Sequence, residues 1–517
     1  MRRTLVLACT ALLAFGTARA ETTLVVSMAA DPTGLDPEAV LNNTSGFVMA
    51  TIYDSLVRYK PGTVEVEPGL AQSWDISADG LTYTFHLRKG VKFQDGSPVN
   101  ADAIVQNIDR QYNKSSPIYI YNTGPVESYR DFTYGAMESY RAVNDDTVEI
   151  KLKSPSAALL ASLAMVWNGV VSPTAAAKYG KDFRNHPVGS GPFIFKEWRQ
   201  RDAVALDANP DYWKGKPKVD HLVFKEYPDA QAGLLALKRG EVQIMGDVAT
   251  SVVPALKSDP SIVVVTQPGL VVNGMAMPNE VAPFNDKRVR QALNYAVDKD
   301  AINKALYSGL AATMTSPLPE AQWGFDKTMT GYKYDPAKAK QLLEAAGVKP
   351  GLKVELLAYS TPRGYNPAGP DLAVALQGYF QKVGIDADVR KLDMGAFLST
   401  VRSGKYQGMF LSGFSGDNGD PDNFMDSLFN SQRIPVGDTS HYKNEAVVKL
   451  MADAARVTDP EKRLALYKTI QRQIMDDAPW VFVNSVLQVR AARKEVKGFQ
   501  LNPTQMFFDM DQVSVQK

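Results

Sequence analysis

Two short polar stretches in the second half of the chain hold the residues best suited to chemistry. One is the run Asp417-Asn418-Gly419-Asp420-Pro421-Asp422-Asn423. Its residue types fit three roles. They can do turn chemistry at a surface, offer several carboxylates to calcium, or present one aspartate to a ligand while the others hold the loop. The spacing does not follow the helix-loop-helix calcium pattern, and no glutamate closes the loop. The other stretch carries Arg363 between Pro362 and Gly364. Proline stiffens such a loop and glycine lets main chain approach a ligand closely. A solvated surface arginine is the alternative.

Catalytic patterns are missing. The chain has no HExxH, no phosphate-binding GxxxxGK[ST], no GxGxxG opening a helix after a strand and no GxSxG elbow. Its four histidines, His86, His221, His186 and His441, are scattered. His86 and His221 fall on the polar phase of strand patterns, and His186 precedes Pro187 in a loop. The expectation is no catalytic residue, no metal ligand and no cofactor, with a hydrolase site assembled only by the fold as the enzyme alternative.

The elements that must position these stretches follow from periodicity. In the first half Leu81, Tyr83, Phe85 and Leu87 alternate with polar residues, as do Val148, Ile150 and Leu152, which marks half-buried strands. In the second half, Asp286, Asp335-Pro336 and Asp459-Pro460 open helices as N-caps. Between residues 351 and 414 the order is strand Val354 to Ala358, the Arg363 loop, and a helix capped by Asp371 and ended by Gly384. Strand Ile385 to Val389, a helix over about 393–403 and strand Met409 to Phe414 follow. This βαβαβ order implies an α/β protein with a mostly parallel sheet. Ligands of such sheets collect beyond the carboxyl ends of the strands, which is where the Arg363 and Asp417 loops lie. Opposite charges facing one crevice between two domains are the natural inference. The uncharged residues 154–177 read as a buried helix followed by a buried strand, because Pro155, Pro173 and several polar residues interrupt them.

Length and charge set the frame. The chain has 517 residues, 57 Lys+Arg against 56 Asp+Glu, and a net charge of +1. That suits two or more domains and argues against a disordered chain or a nucleic-acid binder. Arg2 and Arg3, an apolar stretch from Leu5 to Phe15 and the Ala18-Arg19-Ala20 end read as a signal peptide, residues 1–20, cleaved before Glu21. Cleavage removes three arginines, leaving 54 against 56, a net of −2, and takes away the single cysteine, Cys9. A cysteine-free exported chain suits a bacterial periplasm.

The segment LAQSWDISADGLTYTFHLRKGVKFQDGSPVNADAIV at residues 70–105 resembles the signature of the bacterial extracellular solute-binding proteins of family 5, the periplasmic receptors of peptide-type ABC importers. PVGSGPF at 187–193, NPDYWKGKP at 209–217, LKRGEVQ at 237–243, NDKRVRQALNYAVDKDAI at 285–302 and YDPAKAKQLLEAAG at 334–347 match in the expected order. Within the family, RGYNP at 363–367 and SGDNGDPDNF at 415–424 are similar to the dipeptide-binding branch. The resemblance implies that Arg363 pairs with a peptide carboxylate and Asp417 with a peptide ammonium, with Gly413 and Phe414 contacting the peptide. The absence of mature cysteines and the stretch from Asn42 to Ser45 depart from the enteric dipeptide receptors.

The same resemblance implies a two-lobed periplasmic-binding-protein fold with the ligand between the lobes. Domain I would comprise residues 21–269 and 487–517, with an extra subdomain at about 54–203, and domain II residues 270–486. The expected partners are a dipeptide or short peptide and the permease subunits of an ABC importer, with its ATPase subunits reached indirectly. A monomer without nucleic acid is expected. Receptors for longer oligopeptides, glutathione, opines or metal chelates, a periplasmic hydrolase and a chaperone-like holdase are the alternatives.

Overall fold

The computed structural model describes residues 21–116, 118–119, 130, 133–435 and 437–516. Residues 1–20, which the sequence reading expects to be a signal peptide, lie outside them.

Apolar alternation gives the expected strands. Along Thr82–Leu87, Tyr83, Phe85 and Leu87 are buried while Thr82, Thr84 and His86 are half-buried. This strand joins Ala71–Ile76, Thr147–Leu152 and Met137–Asn144 in a four-stranded antiparallel sheet. The remaining long strands form one twelve-stranded sheet. It runs from Ile385–Leu392 at one edge through Leu352–Tyr359, Met409–Ser415, Val271–Ala276 and Trp480–Arg493. It continues through Ile244–Met245, Thr23–Met28, His221–Glu226 and Ala203–Ala208 to Phe193–Arg199.

The fourteen-residue strand Trp480–Arg493 ties two lobes together. Its first part pairs with Val271–Ala276 and, up to Val486, with Ala311–Thr313. From Leu487 to Arg493 it pairs with Ile262–Pro268 instead. The strand thus changes pairing partners between Val486 and Leu487. One lobe is centred on Leu24, Phe47, Val204, Leu222 and Phe224. The other is centred on Met275, Leu356, Leu372, Phe380 and Phe424, and its apolar cluster runs on without a break into Tyr83, Phe85 and Ile150 of the small sheet. Full burial of each such side chain is worth about 1.5–3 kcal/mol.

The βαβαβ region forms as its periodicity requires. Leu352–Tyr359 pairs parallel with both Ile385–Leu392 and Met409–Ser415. The Asp-initiated helices are capped as expected: Asp286 accepts from the Arg288 amide at 2.8 Å, Asp335 from Lys338 at 2.9 Å and Asp459 from Lys462 at 3.0 Å. Two details differ from the sequence reading. Asp371 is not a cap. The helix Gly369–Lys382 has its cap three residues earlier at Ala368, with Pro370 in its first turn and Asp371 left there to favour the helix dipole. No strand forms at 169–172. Helix Leu159–Leu163 is followed by a 3₁₀ turn and then by helix Pro173–Tyr179. The main chain between them bonds to Asp54, the Asn107 side chain and Val188 rather than to a ladder.

Candidate functional site

Arg363 projects from a loop that is held from beneath. The Arg363 and Asn366 main chains exchange hydrogen bonds of 3.1 and 2.9 Å, closing a tight turn. Asn366 is fully buried; its side chain accepts from the Tyr307 hydroxyl and donates to the Tyr359 hydroxyl, both at 2.7 Å. Tyr307 accepts in turn from Asn273, which also donates to Asn484. Burial pushes Tyr307 up to about 12, so it stays a neutral donor. The exposed guanidinium stands 5.9 Å from the Tyr365 ring centroid. That ring closes on Gly413, where a Cβ would lie 2.5 Å from Tyr365 Cδ2. Arg363 therefore sits at the edge of a rigid polar scaffold that also touches the neighbouring strand.

Asp417 follows that strand, Met409–Ser415. Its amide donates to the Asn423 side chain at 2.9 Å, and Asn418 accepts from the Asp420 amide at 2.9 Å. Asp420 caps helix Pro421–Phe429 and is itself buried in a two-point ion pair with Arg463, at 2.5 and 2.8 Å. Arg463 also lies over the Trp323 and Tyr467 rings. Half-buried Asp422 is pushed up to about 7 by desolvation and by the neighbouring Asp420 and Asp426 charges. Asp420 is thus engaged internally and Asp422 favours the neutral form. The loop also reaches residues from the first half of the chain. Asn418 donates to the Ser162 hydroxyl at 3.1 Å, and Gly419, at φ +69°, sits where a Cβ would lie 2.3 Å from Val64 Cβ.

Both predicted anchors line spaces between the lobes. Arg363 borders a cavity of about 520 Å³, together with Asn43, Tyr307, Arg490 and Gln505. Asp417 borders a smaller one of about 20 Å³, with Tyr59, Trp167 and again Asn43 and Gln505. Desolvation, with Asp417 and Asp420 nearby, holds the Tyr59 hydroxyl well above its usual pKa. Gly413 and Phe414 pair with Asn273 and Val272 on one edge. On the other edge, the pairing to Leu352–Tyr359 ends at Phe410, so main chain beyond it faces outward. Phe414 lines neither cavity and packs edge-on against Phe424 at 5.5 Å. The four histidines are dispersed and each meets a carboxylate: His86 with Asp75, His186 with Asp182, His221 with Asp207 and Glu21, His441 with Glu280. Among the described residues no three His, Cys, Asp or Glu side chains converge to hold a metal ion, and no helix is long and apolar enough to cross a membrane.

Sequence reasoning missed Gln505, Tyr307, Asp247 and Arg490 as cavity residues, whereas Asn43 lies in the Asn42 to Ser45 stretch that it singled out. None of the four has a local signature, since each joins the site only through the fold. Asn366 had a weak one, the Asn-Pro dipeptide that marks a turn.

Residues 65–435 match the family described as bacterial extracellular solute-binding proteins, family 5 Middle. The chain is 35% identical over 495 residues to the dipeptide-binding protein of Escherichia coli (strain K12), covering 93% of this chain and 92% of that one. It is 34% identical to heme-binding protein A of Haemophilus influenzae, over 93% and 90% of the two chains. Among solved structures, HbpA2 from Haemophilus parasuis superposes with a TM-score of 0.89 at 32% identity, over 96% of this chain and all of that one. DppA from Helicobacter pylori in complex with the peptide STSA gives 0.79 at 32% identity, over 96% and 99%. A two-lobed α/β architecture with a polar, non-catalytic crevice is what this family uses to hold solutes, and the chain belongs to the bacterial extracellular solute-binding proteins of family 5.

Proposed function

We propose that this chain captures short peptides, dipeptides foremost, in the cleft between its lobes and delivers them to the permease of an ABC importer. The observation that carries the reading is the placement of Arg363 and Asp417, from two separate loops, on adjoining inter-lobe cavities that share Asn43 and Gln505. The names of the relatives, a dipeptide-binding and several di/tripeptide-binding proteins, support it.

In this reading the Arg363 guanidinium takes the peptide carboxylate, for which its planar fork is suited, and Asp417 takes the ammonium. A zwitterion of two residues spans roughly 7 Å when extended, so two fixed opposite charges measure length as well as sign. The outward edge beyond Phe410 offers main-chain groups to the peptide in the manner of an added strand, with Gly413 and Phe414 closest to it. Domain I comprises residues 21–269 and 487–517 with a subdomain at about 54–203, and domain II comprises 270–486. The crossings near 269 and 487 form a hinge on which the lobes close over the ligand. The permease distinguishes the closed, loaded form from the open one. Residues 1–20 direct export and are removed, and the mature protein works in the periplasm as a monomer.

The test begins with mass spectrometry of ligand released by denaturing the purified protein, followed by calorimetric titration with peptides of increasing length. Arg363→Ala and Asp417→Ala are each expected to weaken dipeptide binding on the order of 100-fold or more, because a buried charge loses its partner. Wild-type affinity in both variants refutes the assignment. A longer-peptide receptor is the second reading, favoured by the four-residue peptide in the Helicobacter pylori relative. It predicts affinity that rises beyond two residues and depends little on Arg363.

A further inference from the structure

Arg490 is a cation that the end-anchoring scheme leaves unused. It lies in the part of strand Trp480–Arg493 that pairs with Ile262–Pro268, opposite Val265. Only 7% of it is exposed, yet it lines the 520 Å³ cavity. Nη1 donates to the adjacent Val489 carbonyl at 3.0 Å, while Nε is enclosed with no acceptor. No carboxylate among the described residues forms an ion pair with it. The guanidinium stands instead 5.7 Å from the centroids of both Phe47 and Phe507, which orient it without neutralising it. Asp247, on the wall of the same cavity, attracts it from a distance and is itself occupied by the Ala29 amide at 3.0 Å. Burial lowers the pKa of Arg490 from the ordinary arginine value, but a guanidinium remains charged at any physiological pH.

A second feature of the same wall has the same sign. Helix Asn43–Ile52 begins at the cavity, with Asn43 and Thr44 in the lining and Phe47, the ring beside Arg490, one turn further on. Asn42 caps the Ser45 amide at 2.9 Å, and the first turn carries no acidic residue. The positive end of the helix dipole is therefore not offset within the helix.

We propose that Arg490 and the first turn of helix Asn43–Ile52 form an anion subsite within the ligand cleft, which receives a second carboxylate of the ligand: the acidic side chain of a peptide containing Asp or Glu. A zwitterion held at both ends by Arg363 and Asp417 is already balanced. Closing the cleft over a neutral peptide leaves Arg490 buried and unmatched, whereas an acidic side chain supplies the missing charge. That the ligand is a peptide rests on the reading above; that this wall accepts a carboxylate does not.

The experiment compares Ala-Glu with Ala-Gln, and Glu-Ala with Gln-Ala, by calorimetry on the full mature chain. In at least one pair the acid is expected to bind about tenfold or more tightly than its amide. Arg490→Gln brings that ratio to about one, and Arg490→Lys keeps part of it. Asp247→Asn, which removes the competing carboxylate, raises it, and serves as the deciding variant should Arg490→Gln fail to fold. Arg363→Ala weakens acid and amide together and leaves the ratio standing, which separates this subsite from the end anchors. Equal binding of acid and amide by the wild type, or a preference that survives in Arg490→Gln, overturns the proposal. If no peptide binds, the peptide reading falls and glutarate is tested against its neutral diamide by thermal shift. Stabilisation by glutarate alone, lost in Arg490→Gln, sustains the subsite, and no stabilisation overturns it.

Discussion

At the scale of single residues, two carboxylates of the Asp417 loop, Asp420 and Asp422, serve the loop itself. Asp420 is matched by Arg463, and removing either partner of such a buried pair typically costs about 3–5 kcal/mol. Asp422 is different, because desolvation raises its pKa to about 7 from an unfolded value near 4. The folded state then binds more protons than the unfolded state across that window, so this group's contribution falls as pH rises from about 4 through 7. Asp422→Asn removes the titration. The variant is expected to gain stability relative to wild type at pH 8, with the gain shrinking toward pH 4, as read from urea midpoints. A stability difference that does not change with pH contradicts the assignment.

At the scale of elements, the site is built where strands stop. Strand Met409–Ser415 passes directly into the Asp417 loop, and helix Pro421–Phe429 fixes the far end of that loop through its Asp420 cap. Gly419 is the tightest point. It has φ +69° and no room for a Cβ against Val64. Gly419→Ala is expected to weaken ligand binding about tenfold by propping the loop away from Val64. Combining it with Val64→Gly, which removes the clashing Cβ, should recover part of the loss in calorimetry, and no recovery in the double variant means that backbone strain alone is responsible. The βαβαβ order and the Asp-started helices were legible because short-range periodicity and capping chemistry determine them. Residues 169–172 misled because an apolar run looks like a strand, whereas Asn107 takes the bond that a ladder would have made. That Arg363 and Asp417 stand on loops beyond strand ends was legible from the order of elements, and the roles proposed for them come from the family motifs around them. Arg490 was not legible, since in the sequence it is one of five polar residues along that strand, and only the packing of Phe47, Phe507 and the distant Asn43 turn gives it a setting.

At the scale of the whole molecule, two lobes share a central strand, and the apolar cluster of one continues into the small antiparallel sheet. Neither lobe has a separate boundary at which unfolding would halt. The expected outcome is one cooperative thermal transition, with calorimetric and van't Hoff enthalpies in agreement; two resolved transitions would show that the lobes melt independently. The shared strand also has a consequence for biogenesis. Trp480–Arg493 comes late in the chain, yet it lies in the middle of the large sheet. A nascent chain still lacking it has two half-built sheets with open edges, so folding must wait until translation is nearly complete.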